Sequence, residues 1–279
     1  MKVADECYAC LAALLRQAAE LATADAELKA RVIEQGQRLL DSLFAADRTS
    51  ISVATPLHRL VREMTGNADP YLPMKEAEVR MARQLQGTWA PELFGGVGDC
   101  LVLAVRGNNI DFFKDLESIE AGMSTPVAFA IDHVTLFEDR LHDANTILYL
   151  ADNSGEVIFD IPLFRKLGEF GEVTYVVKES PVQNDITLQD LSRFGLAGEF
   201  DRVITTGTDT PGVDMDLASD EFKAAFEAAD LVLAKGMGYW ETLSELPPGD
   251  KVLHLLRAKC QPVADSLGVP LDSYVALLR

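Results

Sequence analysis

The chain has 279 residues, 48% of them hydrophobic, enough to pack one large or two modest domains. Its 25 Lys and Arg stand against 44 Asp and Glu, a formal charge of −19, so phosphate backbones and anionic bilayers are repelled and neither nucleic acid nor a membrane surface is an expected partner. The opening residues carry no apolar signal-peptide core, and no run of about eighteen apolar residues occurs, which predicts a cytoplasmic protein with reduced cysteines.

Residues 5 to about 95 read as helices. Leu11, Leu14, Leu15, Ala18 and Leu21 recur at helical spacing, as do Val32, Ile33, Leu39, Leu40 and Leu43, then Leu57, Leu60, Val61 and Met64. Pro70 and Pro73 bracket Tyr71, a charged amphipathic helix runs from Met74 to Leu85, and Gly95-Gly-Val-Gly98 follows as a hinge or helix stop. A phosphate-cradling loop there would continue with Lys-Ser or Lys-Thr, which is missing. The expected division is a helical domain at 1–95 and an α/β domain at 96–279. Cys7 and Cys10 fall on a helix, with Cys100 and Cys260 far off in sequence, so packing thiols are favoured over a zinc or redox pair.

Asp99 to Phe113 reads as a buried helix ending in Gly107-Asn-Asn-Ile-Asp111, whose amides and carboxylate need partners, either in a helix cap or in a cleft wall that gives Asn109 to a substrate. Residues 114–145 look irregular, with a loop at Ser124-Thr-Pro126 and a helix from Val134 to His142. From Thr146 strands at 146–151, 173–178, 202–205, 231–235 and 251–256 alternate with helices near 155–168, 185–195, 218–229 and 261–267. This rhythm predicts an α/β class, a Rossmann-like three-layer domain with a mostly parallel sheet, and Asp272 to Arg279 is expected as an added edge strand. His58, His133, His142 and His254 show no metal spacing, and nothing brings Asp99, Asp111 or Asp132 to a cleft.

In such a sheet the chemistry sits where strands end and helices begin. Strand Ile147 to Ala151 ends on Asp152-Asn-Ser-Gly-Glu156. The next strand, Val173 to Lys178, leads through Glu-Ser-Pro-Val-Gln to Asn184 and Asp185 at an expected helix start. Asp152, Asn153 and Asp185 form an all-oxygen set suited to a hard divalent ion, whereas zinc would normally ask for Cys or His. Ser154 and Gly155 offer helix-start N–H groups to a phosphate. Lys235 finishes an apolar strand before Gly236-Met-Gly238. It reads as a phosphate clamp or as a surface lysine before a turn, with Lys259 after the next strand as a second clamp. Glu156 is a general base, a partner of metal-bound water or a first-turn helix acid.

The chain resembles the metal-dependent damage-control phosphatases (domain-of-unknown-function 89 type), in their small stand-alone prokaryotic branch. The resemblance rests on Cys7-Tyr-Ala-Cys10, Gly66-Asn-Ala-Asp-Pro-Tyr71, Gly107-Asn-Asn-Ile-Asp111, Asp152-Asn-Ser-Gly-Glu156, Ser180-Pro-Val-Gln-Asn-Asp185, Ala234-Lys-Gly-Met-Gly238 and Ala258-Lys-Cys-Gln-Pro-Val263, in order over nearly the whole chain. Ser154 stands where a small residue, often Ala, is expected, and Tyr239-Trp240 where Asn-Phe is more usual. The resemblance implies an Asp-Asn-Asp metal site at Asp152, Asn153 and Asp185 holding Mg, Mn, Co or Ni. It also implies hydrolysis of small phosphorylated metabolites such as phosphosugars, phosphopantetheine-like compounds or nucleotide phosphates, in metabolite damage control.

Three rivals remain in view. A haloacid-dehalogenase-type mechanism with Asp152 as nucleophile needs an acid at position 154, which is Ser. A methyltransferase wants a Gly-rich turn after the first strand, which Asp-Asn-Ser-Gly-Glu is not. A non-catalytic metal-dependent metabolite-binding protein would use the same ligand atoms, and only turnover separates it from an enzyme.

Overall fold

The computed structural model describes residues 1–89, 95–110 and 116–279. The elements in chain order are α1 (Asp5–Ala22), α2 (Ala26–Leu43), α3 (Ser50–Thr65), α4 (Leu72–Trp89), α5 (Val97–Arg106), α6 (Leu116–Ser124), β1 (Phe129–Asp132), α7 (Val134–Leu141), β2 (Thr146–Leu150), α8 (Val157–Leu167), β3 (Glu172–Val177), α9 (Leu188–Arg193), β4 (Val203–Thr205), α10 (Asp220–Ala228), β5 (Leu231–Lys235), α11 (Gly236–Leu243), β6 (Val252–Arg257), α12 (Gln261–Leu267) and β7 (Tyr274–Leu278).

Local chemistry sets several helix starts. The Asp25 carboxylate accepts from the backbone N–H groups of Glu27 and Leu28, Thr49 caps α3 through Ser52 N, and Ser219 caps α10 through Phe222 N. The β-branched and aromatic runs form a seven-stranded sheet of order β1-β7-β6-β5-β2-β3-β4, parallel throughout except for the antiparallel β6–β7 pair. Both faces are covered. Along β2, Ile147 and Tyr149 pack into one apolar cluster with α5 and α8, while Leu148 and Leu150 join another with Phe222, Tyr239 and Leu243.

The helices α1, α2 and α3 enclose two smaller apolar clusters, around Leu15, Val32 and Val61 and around Leu11, Leu40 and Val53. α4 joins this layer to the sheet domain, with Met74 in the helical cluster and Val79, Ala82 and Leu85 in the main core.

Four expectations are corrected. The 114–145 segment contains helix α6 and strand β1. The Asp272–Arg279 strand, β7, is not at an edge but lies between β6 and β1, because Tyr274 to Ala276 are buried, whereas β1 alternates half-buried and exposed residues. The helix predicted over 99–113 ends at Arg106 and continues as a 3-10 turn, Gly107–Asn109; Asp111, predicted at its end, lies outside the described residues. The helix expected from 185 starts only at Leu188, since Thr187 and Asp190 form its capping box.

Candidate active site

The chain runs outward from β2 to β3 and β4 on one side, and through β5 and β6 on the other, so the switch point of the sheet lies between β2 and β5. Residues following β2, β3 and β5 therefore converge at one edge. Asp152 and Asn153 come from the first, Asp185 from the second, Gly236 from the third. The β3–α9 segment folds back over the β2 turn. Ile186 N donates to Asp152 O at 2.9 Å, Ser154 N to Asn184 O at 2.8 Å, and Asn153 pairs with Asp185 in an isolated antiparallel bridge. Asp185 is thus fixed by backbone pairing and not by a helix start.

Gly236 has a left-handed φ of 79°, and a Cβ there would fall 1.9 Å from Asp152 Oδ2, so only glycine lets this carboxylate lie against the start of α11.

The three predicted ligands share one cavity of about 420 Å³, which Asn108, Gln183, Gly236, Arg257 and Lys259 also line. The buried Asp185 Oδ2 receives no hydrogen bond; its nearest cation, Lys178 Nζ, is 3.5 Å away. Asn153 Nδ2 donates to Glu156 Oε1 at 2.7 Å and to Asp152 Oδ2 at 3.1 Å, which leaves its carbonyl oxygen unbonded among the described residues. Burial, then the charges of Glu156 and Asp185, hold the Asp152 carboxyl well above the usual carboxylate range, with Lys178 and Lys235 pulling the other way. Burial likewise raises Asp185, against Lys178 and Lys75. Two desolvated carboxylates and a free amide oxygen, mutually repelling, are a donor set that a hard cation satisfies. Among the described residues no group of three His, Cys, Asp or Glu side chains could hold a metal ion, and this set fits one only because an Asn supplies the third oxygen.

Other candidates are placed differently. Lys235 is fully buried, and its ammonium donates to Ala104 O at 2.9 Å, Glu156 Oε2 at 2.9 Å and Asp160 Oδ1 at 2.8 Å. Burial opposes its charge, but Asp160 and Glu156 outweigh burial and raise its pKa. All three donors are consumed, so the expected phosphate clamp is corrected: Lys235 neutralises buried acids. Glu156 is 1% exposed, with both oxygens taken by Asn153, Asn108 and Lys235, which removes the general-base reading and leaves it orienting Asn153. The Ser154 N–H is bonded to Asn184 O and cannot meet a phosphate; its hydroxyl is buried without a partner. Gly155 is pressed against Glu78 and Ile110, away from the cavity wall. Asn109 bonds Arg106 O, Tyr274 Oη and Arg257, so its neighbour Asn108 faces the cavity instead.

Lys259 is exposed on the cavity wall, with no partner for its ammonium among the described residues. Cys7, Cys10 and Cys260 also line the cavity as free thiols.

Sequence reasoning missed Lys178. It is fully buried, donates to Gly212 O and to Tyr239 Oη at 3.1 Å, and its pKa is raised because Tyr239 and Asp185 outweigh burial. A lysine directly after strand β3 was the available signal, close to the one that drew attention to Lys235 at the end of β5.

A mostly parallel sheet with carboxylates gathered at its switch point marks an α/β protein whose small-molecule site lies at that edge. The family model for the damage-control phosphatase ARMT1-like domain matches residues 3–275, and the chain belongs to this family. A damage-control phosphatase of Pyrococcus horikoshii is 35% identical, the match covering 99% of this chain and 98% of that one, and a damage-control phosphatase of Archaeoglobus fulgidus is 30% identical with 99% of each covered. The crystal structure of a DUF89 family protein from Pyrococcus horikoshii superposes with a TM-score of 0.91 at 33% identity, covering 100% of this chain and 99% of that one. Among the described residues, no helix is long and apolar enough to cross a membrane.

Proposed function

We propose that this chain is a metal-dependent phosphomonoester hydrolase acting on small phosphorylated metabolites. The observation that carries the reading is the buried, hydrogen-bond-free oxygen of Asp185 beside Asp152 and Asn153 in one cavity, in a chain of the damage-control phosphatase family. Asp152, Asn153 and Asp185 would hold the ion, with magnesium, manganese, cobalt and nickel all compatible with oxygen donors. A divalent cation there supplies polarisation of a phosphate oxygen and acidification of a bound water.

The protein's own residues do the rest. Glu156 fixes the Asn153 amide so that its oxygen faces the cavity. Lys178 and Lys235 balance the buried acids from behind without reaching the substrate. Lys259, whose ammonium on the cavity wall has no partner among the described residues, takes the phosphate dianion on a body of charge −19.

Release of phosphate from an aryl phosphate, assayed with EDTA and then with each of the four metals, separates this enzyme from a binding protein with the same ligands. EDTA should abolish turnover and at least one metal should restore it. Metal binding without turnover of any phosphomonoester contradicts the proposal.

A further inference from the structure

Beyond the proposed ligands, the cavity wall has a marked chemistry. Leu11 and Leu14 of α1, Ile51 and Ala54 of α3, Met237 of α11 and Val263 of α12 surround the space above Asp152 and Asp185. The three cavity thiols add to this apolar wall, because burial raises the pKa of each, that of Cys260 to about 11, and keeps them protonated.

The charges are uneven. Arg257 is engaged by Asn109 and Asp272, which among the described side chains of the wall leaves Lys259 for the phosphate. Among the described residues the remaining charged groups on the wall are the Met1 ammonium, engaged by Glu241 O, Ser244 Oγ and Glu245, and the acids Glu6 and Glu241, with Glu241 anchored by the Ser50 hydroxyl. A phosphate bound at the floor therefore points its ester group into a space that, among the described residues, offers apolar contacts, no spare cation and two acids.

Resting on the phosphatase reading, we propose that this cavity is a leaving-group subsite for phosphomonoesters of neutral alcohols with an apolar body, and that Glu241 rejects leaving groups bearing a second anionic charge. Phosphosugars and nucleoside monophosphates present hydroxyls that an apolar wall cannot satisfy, and bisphosphates present further negative charge. A cavity of about 420 Å³ has the capacity expected of a small-molecule site.

The test uses the metal-loaded full chain with methyl, ethyl, butyl and hexyl phosphate, ribose 5-phosphate and 1,6-hexanediol bisphosphate. Each added methylene buried against the wall should raise kcat/KM by about fourfold until the cavity is full. Hexyl phosphate should exceed both ribose 5-phosphate and the bisphosphate by at least about tenfold. In Glu241→Gln the kcat/KM of the bisphosphate relative to hexyl phosphate should rise severalfold, and in Ile51→Asn the slope along the alkyl series should flatten. A flat alkyl series, or ribose 5-phosphate turned over as well as hexyl phosphate, overturns the subsite. Calorimetry with methyl-, butyl- and hexylphosphonate reads the same slope as affinity without any turnover. A protein that hydrolyses none of the esters but binds the phosphonates with that slope contradicts the phosphatase reading and upholds the subsite, whereas equal phosphonate affinities overturn the subsite itself.

Discussion

At Lys235, burial and charge act together. Its ammonium has no exposed surface and balances Glu156 and Asp160, so Lys235→Ala strands two buried carboxylates and should lower the unfolding free energy by about 3–5 kcal/mol, read from urea denaturation. An unchanged midpoint contradicts that role. Lys259 predicts the converse. As an exposed side chain it contributes little to the fold, and Lys259→Ala should keep wild-type stability while kcat/KM falls by the equivalent of roughly 1.5–3 kcal/mol, the worth of a charge-assisted hydrogen bond. Both lysines follow apolar strands, and position in sequence could not rank them; the acids that capture Lys235 come from the first turns of α8 and its approach, packed against β5 only in the folded chain. Gly236→Ala places a Cβ on Asp152 Oδ2, so calorimetry should show divalent-metal affinity reduced at least tenfold; wild-type affinity would show that the carboxylate can move aside.

The segment between β3 and α9 is held in place mostly from the helical layer. Arg62 of α3 donates to Pro181 O and to Asp209, Gln183 meets His58 Nε2 at 3.3 Å, and Asn184 Nδ2 donates to both oxygens of Glu78 at 3.1 Å. Gln183 itself has a φ of 46°, a left-handed conformation that a non-glycine residue keeps only under such restraint. Arg62→Ala should therefore speed amide hydrogen exchange at Asp185 and Ile186 selectively, leaving the centre of β2 protected; uniform exchange throughout would remove the latch.

At this scale the sequence was readable where elements are long and periodic. The strands β2, β3, β5 and β6 announce themselves as apolar runs. β1 has four residues, two of them exposed, and α11 begins directly at the end of β5 with no side-chain cap, so neither carries a local signal. The position of the proposed ligand pair, Asp152 and Asn153, at the cavity was legible from the strand end. Their bridge to Asp185 was not, because it depends on a loop folding back across β2.

Across the whole molecule, two buried histidines link stability to pH. His58 in α3 is held near pKa 4 and His254 in β6 near 3, both chiefly by burial, against 6.5 for a free imidazole. Because both native pKa values are lowered, the unfolded chain binds more protons below pH 6.5 and stability falls as pH drops toward 4 and 3. Each should cost about 2 kcal/mol between pH 7 and pH 5. Urea midpoints over that range for wild type and for His254→Gln should show a shallower slope in the variant; identical slopes contradict a buried neutral His254.

The sheet order places the residues after β2, β3 and β5 side by side at the switch point, and the helical layer roofs them, which is why residues from 1 to 263 line one cavity. The most direct test of the account is a metal titration of phosphate release by metal-stripped protein, run beside Asp185→Ala. Wild type should be silent without metal and rise to a plateau as metal is added, while folded Asp185→Ala should stay at least about a hundredfold lower at every concentration, a loss of several kcal/mol of transition-state stabilisation. Full activity in the metal-stripped protein, or a wild-type titration in Asp185→Ala, would contradict it.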